Sequence, residues 1–480
     1  MVENQNSVDL LGKADRAPTG RFHYKVMFTA SMGFFTDAYD LFAISTAIPL
    51  IVSASIFNVT NSFVSGMIGA AALIGAVIGA LTFGRIADAR GRKYVYGLEM
   101  AILVVFAIVS ALSVNVWMLI ISRLFLGIGV GGDYPISSTI MSEYSNVKSR
   151  GRLVQVVFAM QGFGLLLGAV VGLVAVHFTS ADIAWRIMLG FGAIPAASVI
   201  YLRRKLPETP RYSLQTKGDN KAAAEALEGI TGAKDVPSSS STSVPRSTRG
   251  LLAKYAALLI GTAGSWLLFD MAFYGTSINN SFVFAAMGYG SVKNAVLLAQ
   301  HTAIGNIILA AAFEIPGYWI AWAAIDKVGR KTLQWVGFIV MGAVYLTFAI
   351  ALTPLKADVP LFIGIYGISF LFGNIGPNST TFILPTELFP TQIRTTAHGI
   401  SAGAGKTGAA IFTFLLPAIE SAYGLPAVFS ILTGLSLIAV ILTLVFIKET
   451  KGLSLERTSN QEMATAQIMA GSSNNNVPGK

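Results

Sequence analysis

The chain has 480 residues, of which 54% are hydrophobic and only 12% are charged, and its mean hydropathy is +0.64. A soluble protein has roughly 25% charged residues, so this composition excludes an ordinary water-soluble domain and indicates a membrane protein. The net charge of +10 does not point to a nucleic-acid partner, because the basic residues concentrate in loops on one side of the predicted spans.

Apolar segments long enough to cross a bilayer recur along the whole chain. A transmembrane helix needs about 20 apolar residues. Twelve such segments predict an all-α multipass membrane protein with twelve transmembrane helices. The predicted spans are 25–52, 63–84, 94–113, 116–142, 153–178, 185–202, 251–278, 293–322, 332–353, 358–386, 395–419 and 425–447. The polar start of the chain and the long first span do not fit a cleaved signal peptide.

The loops differ strongly in basic residues. Most of the 34 Lys and Arg residues lie in the tails and in alternate loops on the side of the chain ends, whereas Lys293 and Lys356 lie in loops on the other side. Because basic loops stay in the cytoplasm, we expect both termini to be cytoplasmic and the protein to reside in the cell membrane.

One long hydrophilic segment divides the spans six and six. Residues 203–250 include a serine run and two prolines, which predicts a partly disordered linker. We therefore predict five units: a cytoplasmic tail 1–24, a six-helix bundle 25–202, a cytoplasmic linker 203–250, a second six-helix bundle 251–447 and a cytoplasmic tail 448–480.

Three local patterns recur in the same order in both halves, which indicates an internal duplication. GRIADARGRK is matched by AIDKVGRK, an acid–x6–Arg spacing occurs after the fourth and tenth spans, and a Glu-Thr pair follows the sixth and twelfth. The charged members are Asp88, Arg92, Glu143 and Arg150 in the first half, and Asp326, Arg330, Glu387 and Arg394 in the second.

Two aspartates interrupt the first predicted span. Asp37 and Asp40 lie in FTASMGFFTDAYDLFAISTAIPLIV, which has no other charge. An Asp at mid-membrane costs on the order of 3 kcal/mol, so such residues usually face a pathway or a partner. Residues three apart share a helix face. We therefore expect both to face inward and to relay protons.

The fourth span contains GGDYPISSTIMSE. Its two glycines thin the helix and Pro135 removes a backbone donor, so this helix can bend or approach a neighbour closely. Asp133 and Tyr134 lie at this irregular point, where a carboxylate and a phenol can serve a ligand. The alternative is a packing notch in which Asp133 forms a salt bridge with Arg123.

The seventh span carries Trp266, Asp270 and Tyr274 at intervals of four residues, which places them on one stripe of a helix. An aromatic stripe alone is usually packing. The acid makes this stripe polar where lipid cannot satisfy polar groups, so we interpret it as facing a pathway.

Three further polar residues each stand beside glycine in apolar spans, namely Gln161, Asn378 and Lys406. Intramembrane amides commonly form helix-to-helix hydrogen bonds, and that alternative stays open for the first two. Lys406 needs a counter-charge in the membrane, which makes it a stronger functional candidate. Glu314 receives no role from the sequence.

The two six-helix halves and their loop signatures resemble the major facilitator superfamily over all but the linker and tails. The resemblance implies a substrate site between the halves near mid-membrane, exposed alternately to each side as the halves rock. It also implies cytoplasmic ion pairs made in one state, which we predict between Glu143 and Arg150 and between Glu387 and Arg394. The alternative is that these charges only set topology.

A narrower resemblance is to the phosphate:proton symporter family. FFTDAYDLF, GGDYPISSTIMSE, the W-x3-D-x3-Y stripe and GPNSTTFILPTELFPTQIR are similar to its motifs, whereas PETPR and PTELFP are also similar to sugar porters. The resemblance assigns phosphate binding to Tyr134, Gln161, Trp266, Asp270, Tyr274 and Asn378. It assigns proton coupling to Asp37, Asp40 and Asp133, with Lys406 nearby.

The expected function is therefore secondary active transport, with inorganic phosphate and protons as partners in a lipid bilayer. A sugar or organic-acid symporter of the same fold and a non-transporting phosphate sensor are the alternatives. We expect no enzyme, because the acids lack a nucleophile–base pair, a phosphate-binding glycine loop or a metal cluster. We expect no cofactor, no catalytic or metal residues, no nucleic-acid partner and a monomeric protein.

Overall fold

The computed structural model describes residues 11–54, 57, 59, 62–231, 248–290 and 293–459. The serine- and proline-containing part of the predicted linker, 232–247, lies outside the described residues, as do the chain ends 1–10 and 460–480. The described part is built from helices joined by short turns, as the sequence predicts.

Eleven helices in the described residues are long and apolar enough to cross a membrane. The last, Arg394–Phe446, contains Gly424 at φ 76° and is two helices merged across this kink. Twelve spans result within the described part. They are α1 Arg21–Ser53, α2 Ser62–Arg90, α3 Arg92–Ala111, α4 Val116–Tyr144, α5 Arg150–Phe178, α6 Ala181–Arg204, α7 Ala256–Ile278, α8 Ala295–Val328, α9 Arg330–Ile350, α10 Val359–Leu388, α11 394–423 and α12 425–446.

Four spans are interrupted. They divide as Arg92–Val95 and Leu98–Ala111, Ala181–Gly190 and Ala193–Arg204, Ala295–Leu309 and Ile315–Val328 around a π-helical turn Ala310–Glu314, and Val359–Ile375 and Pro377–Leu388. Shorter helices are Pro210–Tyr212, Asn220–Thr231, Thr248–Lys254, Asn280–Ala286, Leu352–Ala357 and Leu455–Thr458, with a π-helical turn at Ser213–Lys217.

Several helices run further than the apolar segments predict. On the side of the molecule where α1 begins and α12 ends, which we call the terminal side, α2 continues to Arg90 and α8 to Val328. The backbone hydrogen bonds of a helix do not require lipid, so its last polar turns continue beyond the membrane-compatible segment. The predicted seventh span also separates into Thr248–Lys254 and α7.

Close helix contacts hold the halves together. Within the first half α4 approaches α2 so tightly that a Cβ at Gly127 would lie 1.9 Å from the Ala72 carbonyl oxygen. Between the halves α2 meets α11, where a Cβ at Gly399 would lie 2.3 Å from the Ala80 oxygen. Small residues at such contacts let backbones pack closely in membranes.

The loop patterns of the first half assemble around one arginine. Arg92 forms ion pairs with Asp88 at 3.1 Å and with Glu143 at 3.2 Å. The Glu208 carboxylate accepts a hydrogen bond from the Lys93 backbone N–H at 3.1 Å. The turn before Arg92 is made by a glycine at φ 115°, a conformation that favours glycine.

The second half repeats this arrangement. Arg330 pairs with Asp326 at 2.8 Å and with Glu387 at 2.9 Å. The Glu449 carboxylate accepts from the Lys331 N–H at 3.1 Å, and the preceding glycine has φ 106°. The three patterns that recur in the sequence therefore come together in the same way twice.

The ion-pair partners predicted from seven-residue spacing are wrong. Glu143 pairs with Arg394 of the other half at 2.8 Å rather than with Arg150, and Glu387 pairs with Arg330 rather than with Arg394. Arg150 instead donates to the Leu453 carbonyl at 3.1 Å. Arg150 begins the helix that follows Glu143, and Arg394 begins the helix that follows Glu387. Both helix starts face the opposite half, so neither arginine meets the acid that precedes it in the sequence.

Candidate functional site

Two tyrosines from opposite halves meet at the centre of the molecule. The hydroxyls of Tyr134 on α4 and Tyr274 on α7 lie 3.0 Å apart. The Lys406 ammonium on α11 lies 3.9 Å from the Tyr274 ring centre and 4.5 Å from that of Tyr134, so one cation faces both rings. All three residues are buried.

The Lys406 ammonium has an acidic partner. Its Nζ donates to Asp270 Oδ2 at 2.9 Å, while Asp270 Oδ1 has no hydrogen-bond partner among the described residues. Gly405 allows α11 to pack this closely against α7, because a Cβ at this position would lie 2.5 Å from the Trp266 ring. The stripe of α7 and the lysine of α11 thus form one buried polar cluster.

Two amides complete the cluster. Gln161 Nε2 of α5 lies 3.5 Å from the Tyr134 hydroxyl, at the limit of a hydrogen bond. Asn378, which follows the break in α10, donates to the Tyr318 hydroxyl at 2.9 Å and to Asn374 Oδ1 at 2.8 Å. Asn378 therefore forms the helix-to-helix hydrogen bond that the sequence offers as an alternative, because its bond to Tyr318 joins α10 to α8.

Aromatic rings cover the cluster on the terminal side and on the opposite side of the molecule. On the terminal side the Phe382 ring lies 4.9 Å from that of Phe34 and stacks on Phe158 at 4.3 Å. On the opposite side Phe42 stacks on Tyr274 at 5.1 Å. The seven predicted residues of this cluster, counting Lys406, are each 2% exposed or less. The centre is therefore enclosed by protein.

Asp133 is held by an arginine other than the one expected. Arg203 makes two bonds to its carboxylate, at 2.6 and 2.8 Å, and a third to Glu99 at 2.7 Å. The predicted alternative of an Asp133–Arg123 bridge is wrong, because Arg123 lies nearer the start of α4, about 15 Å from Asp133 along the helix axis. Arg123 donates instead to the Asp40 backbone carbonyl at 2.9 Å.

Both aspartates of α1 are buried, but they face different neighbours. Asp37 lies beside the Asp133–Arg203 pair and forms no ion pair of its own within the described part of the chain. Asp40 lies against α6, where a Cβ at Gly192 would be 2.0 Å from its Oδ1. Asp37 is thus the member of the pair closer to the central cluster.

Comparisons with known proteins agree with this architecture. A family described as sugar (and other) transporter matches residues 26–461. Inorganic phosphate transporter 1-6 of Oryza sativa subsp. japonica is 36% identical over 517 residues, covering 96% of each chain, and low affinity inorganic phosphate transporter 1 of Petunia hybrida is 34% identical over 511 residues, covering 95% and 96%. The chain belongs to the inorganic phosphate transporter family of the major facilitator superfamily.

Solved structures agree on the fold. The proton:xylose symporter XylE bound to 6-bromo-6-deoxy-D-glucose aligns with a TM-score of 0.74 at 21% identity, over 91% of this chain and 98% of that one. The family and fold predicted from the motifs are confirmed. Its family makes this chain a multipass membrane transporter and not an enzyme.

Sequence reasoning missed four residues that shape the transporter's centre, namely Glu99, Arg203, Tyr318 and Asn374. The sequence places Arg203 in the linker, because it follows the last apolar residue of its span. A buried carboxylate at Glu99 was the available signal, since an acid inside a span requires a partner. In the described residues no group of three or more His, Asp or Glu could hold a metal ion.

Proposed function

We propose that this transporter imports inorganic phosphate together with protons across the cell membrane by alternating access. The observation that carries the proposal is the buried cluster of Tyr134, Gln161, Trp266, Asp270, Tyr274, Asn378 and Lys406, contributed by both halves. Full-length relatives at 34–37% identity are named inorganic phosphate transporters, which supports phosphate as the substrate.

The chemistry of the cluster suits a protonated oxyanion. Phosphate keeps at least one proton near neutral pH and can donate it in a hydrogen bond to Asp270 Oδ1, which has no partner in the described residues. Sulfate has no proton to donate and would meet a bare carboxylate. The phenol, amide, indole and ammonium groups supply donors for the remaining oxygens. Selectivity for phosphate follows from this acid.

Charge balance in the enclosed centre supports proton coupling. In the first half, Asp37, Asp133 and Glu99 share the single cation Arg203, whereas Asp270 is balanced by Lys406. An entering phosphate would add negative charge to a region of low dielectric that already carries an excess of acids. Protonation of one or more of these carboxylates accompanies loading. Asp37 is the foremost candidate of the three, because it has no ion-pair partner among the residues that the structure describes.

The basic loops orient the transporter with its terminal side in the cytoplasm. In this arrangement the cytoplasmic side is closed, since Glu143 pairs with Arg394 and Asp88 accepts from the Thr396 N–H at 2.6 Å, both across the halves. If net positive charge enters with each phosphate, the membrane potential contributes about 2.3 kcal/mol per charge per 100 mV.

A competition experiment tests the substrate. In this experiment, binding of labelled phosphate to the purified protein is measured at mildly acidic and mildly alkaline pH, with unlabelled phosphate, sulfate, glucose or citrate as competitor. We expect unlabelled phosphate to compete and the other three to fail. Asp270→Asn should lose phosphate binding or accept sulfate, because the amide can donate to an oxyanion. Displacement by glucose or citrate would favour the sugar or organic-acid alternative.

Asp358→Asn is the matched control. Asp358 caps the start of α10 by accepting from the Leu361 N–H at 3.0 Å, outside the central cluster. Asparagine caps helices about as well as aspartate. This variant should therefore bind phosphate like the unmodified protein. Unchanged selectivity in Asp270→Asn would remove the role given to that acid.

A further inference from the structure

A small cavity lies between the halves on the side of the central tyrosines opposite the chain ends. Its volume is about 20 Å³, enough for about one water molecule. Phe42, which stacks on Tyr274, forms part of its wall, so the cavity directly adjoins the central cluster. Its polar lining comes from Ser277, Asn280, Asn306 and Glu314.

Glu314 is the ionisable group of this cavity. It ends the π-helical turn in α8 and is 4% exposed. Among the described residues its carboxylate forms no ion pair, and no hydrogen bond to it is found; only its backbone carbonyl accepts, from Asn374 Nδ2 at 3.4 Å. The charged form of such a group is costly in a protein interior, so the carboxyl binds a proton or a cation instead.

The neighbouring amides favour a proton over a metal cation. Asn306 Oδ1 already accepts from Asn280 Nδ2 at 2.7 Å, and Asn280 Oδ1 already accepts from the Tyr366 hydroxyl at 3.0 Å. A hard cation needs about six or more oxygen ligands arranged around it, and a cavity of about 20 Å³ with one carboxylate, one hydroxyl and two amides that are already bonded does not supply them. The titratable groups facing Glu314 are the neutral phenols Tyr318 on its own helix and Tyr366 on α10, and no charged group faces it within the described residues.

The position of the cavity links the carboxyl to the movement of the halves. Asn306 Nδ2 reaches Ser45 Oγ on α1 at 3.5 Å, so the cavity lies at a contact between the halves. When the halves separate on this side, water reaches Glu314 and the carboxyl can ionise. When they close, water is excluded and the proton is retained.

We propose that Glu314 is a further proton-binding site, which takes one proton from external water and carries it through the transport cycle. The inference rests on the proposed phosphate:proton symport. The proton moves from water to a Glu314 carboxylate oxygen before closure. It leaves toward the cytoplasm past Tyr318, whose ring neighbours Glu314 and whose hydroxyl bonds Asn378 of the central cluster.

The test measures phosphate and proton influx together in proteoliposomes, with labelled phosphate and an internal pH-sensitive dye. Glu314→Gln imitates the protonated carboxyl permanently, so it should still exchange phosphate but carry one proton fewer per phosphate. Its exchange should also persist to more alkaline pH than that of the unmodified protein. Glu314→Asp keeps a carboxyl and should restore the original proton ratio.

Glu420→Gln is the control, because it makes the same chemical change on the same side of the second half but outside the cavity. It should keep the original ratio. If the unmodified protein couples protons but Glu314→Gln keeps the full ratio and pH profile, the role of Glu314 is wrong and the proposed phosphate:proton symport still stands. If the unmodified protein shows no coupling, the proposed function fails.

Two other outcomes overturn the inference. Uptake that requires sodium in the unmodified protein and loses this requirement in Glu314→Gln would make the cavity a sodium site. Loss of folded protein in Glu314→Gln but not in Glu314→Asp, judged by size-exclusion chromatography, would mean that an ionised carboxylate is needed there.

Discussion

The Asp270–Lys406 pair illustrates how a buried charge depends on its partner. Both side chains are almost fully enclosed, at 0% and 1% exposure. Removal of one member of a buried pair leaves an uncompensated charge and costs about 3–5 kcal/mol, whereas replacement of both members costs much less. The stability of the fold therefore depends on keeping the two members of this pair together.

A double-mutant cycle tests this pairing. Asp270→Asn and Lys406→Gln should each lower the unfolding temperature, and the double variant should lose less stability than the two losses added together. We expect a coupling of about 0.5–3 kcal/mol. Thermal unfolding of the purified variants in detergent measures it.

The exposed pair Asp182–Arg186 provides the control cycle. Its members are 56% and 24% exposed and 3.4 Å apart. Exposed pairs contribute about 0–1 kcal/mol, so Asp182→Asn and Arg186→Gln should be nearly additive. Additive losses at Asp270 and Lys406 as well would contradict the interaction.

Residue types on one helix could be predicted, but their partners could not. The stripe of Trp266, Asp270 and Tyr274 follows from helix periodicity alone. That Lys406 is the partner of Asp270 depends on how α7 and α11 pack, and the sequence does not reveal this for two residues that are 136 positions apart. In the same way, the only partner that the sequence suggests for Asp133, as an alternative to ligand binding, is Arg123 of its own helix, whereas the partner in the structure is Arg203 at the end of α6.

At the level of helices, the ends of α4 and α11 form the contact that closes the terminal side. Glu143 lies at the end of α4 and bonds Arg394 at the start of α11, while Gln155 of α5 donates to Ser379 Oγ of α10 at 2.8 Å. Both contacts cross between the halves. Loss of the ion pair should therefore favour opening on this side.

Cysteine labelling tests this prediction, because the chain has no native cysteine. In a Ser379→Cys background, Arg394→Gln should raise the labelling rate by a membrane-permeant thiol reagent about tenfold, equivalent to about 1.4 kcal/mol. Arg186→Gln, which breaks an exposed pair within one half, should leave the rate unchanged. Equal rates in all three proteins would contradict the closing role of Arg394.

The segment after α12 is attached to the linker by a second ion pair. Arg211 Nε donates to Glu456 Oε1 at 3.0 Å, and Arg211 also bonds Asp15 at 2.6 Å. Burial alone would raise the pKa of Glu456, but the Arg211 guanidinium outweighs it and lowers this pKa from 4.5 to about 2. A lowered folded-state pKa stabilises the fold above the unfolded value, and this stabilisation is lost as pH falls from about 4.5 toward 2.

Removal of the Glu456 charge should change how stability depends on pH. Glu456→Gln should lower stability at neutral pH by up to about 3 kcal/mol, and the difference from the unmodified protein should shrink as the pH falls below about 4.5. Unfolding temperatures at neutral and acidic pH measure this. Glu228→Gln, an exposed acid of the linker helix Asn220–Thr231, should have no such effect. A difference independent of pH would contradict the charge argument.

Over the whole molecule, the repeat was the most informative signal in the sequence. Apolar length predicts the spans, and the recurring loop motifs predict two equivalent halves, because Asp88, Arg92 and Glu143 form the same ion pairs within the first half as Asp326, Arg330 and Glu387 form within the second. The contacts between halves could not be predicted, since they depend on which state of the cycle the protein adopts. The cavity at Glu314 belongs to this second class, because residues from α1, α5, α7 and α8 enclose it together.

If the acids of the enclosed centre govern phosphate entry, transport must depend on protons. The most direct measurement is labelled phosphate uptake by proteoliposomes containing the purified protein, with and without an imposed inward proton gradient. We predict that the gradient drives accumulation of phosphate above its external concentration, that a protonophore abolishes it, and that Asp37→Asn weakens it. Uptake that only equilibrates phosphate and is indifferent to the gradient would contradict the account.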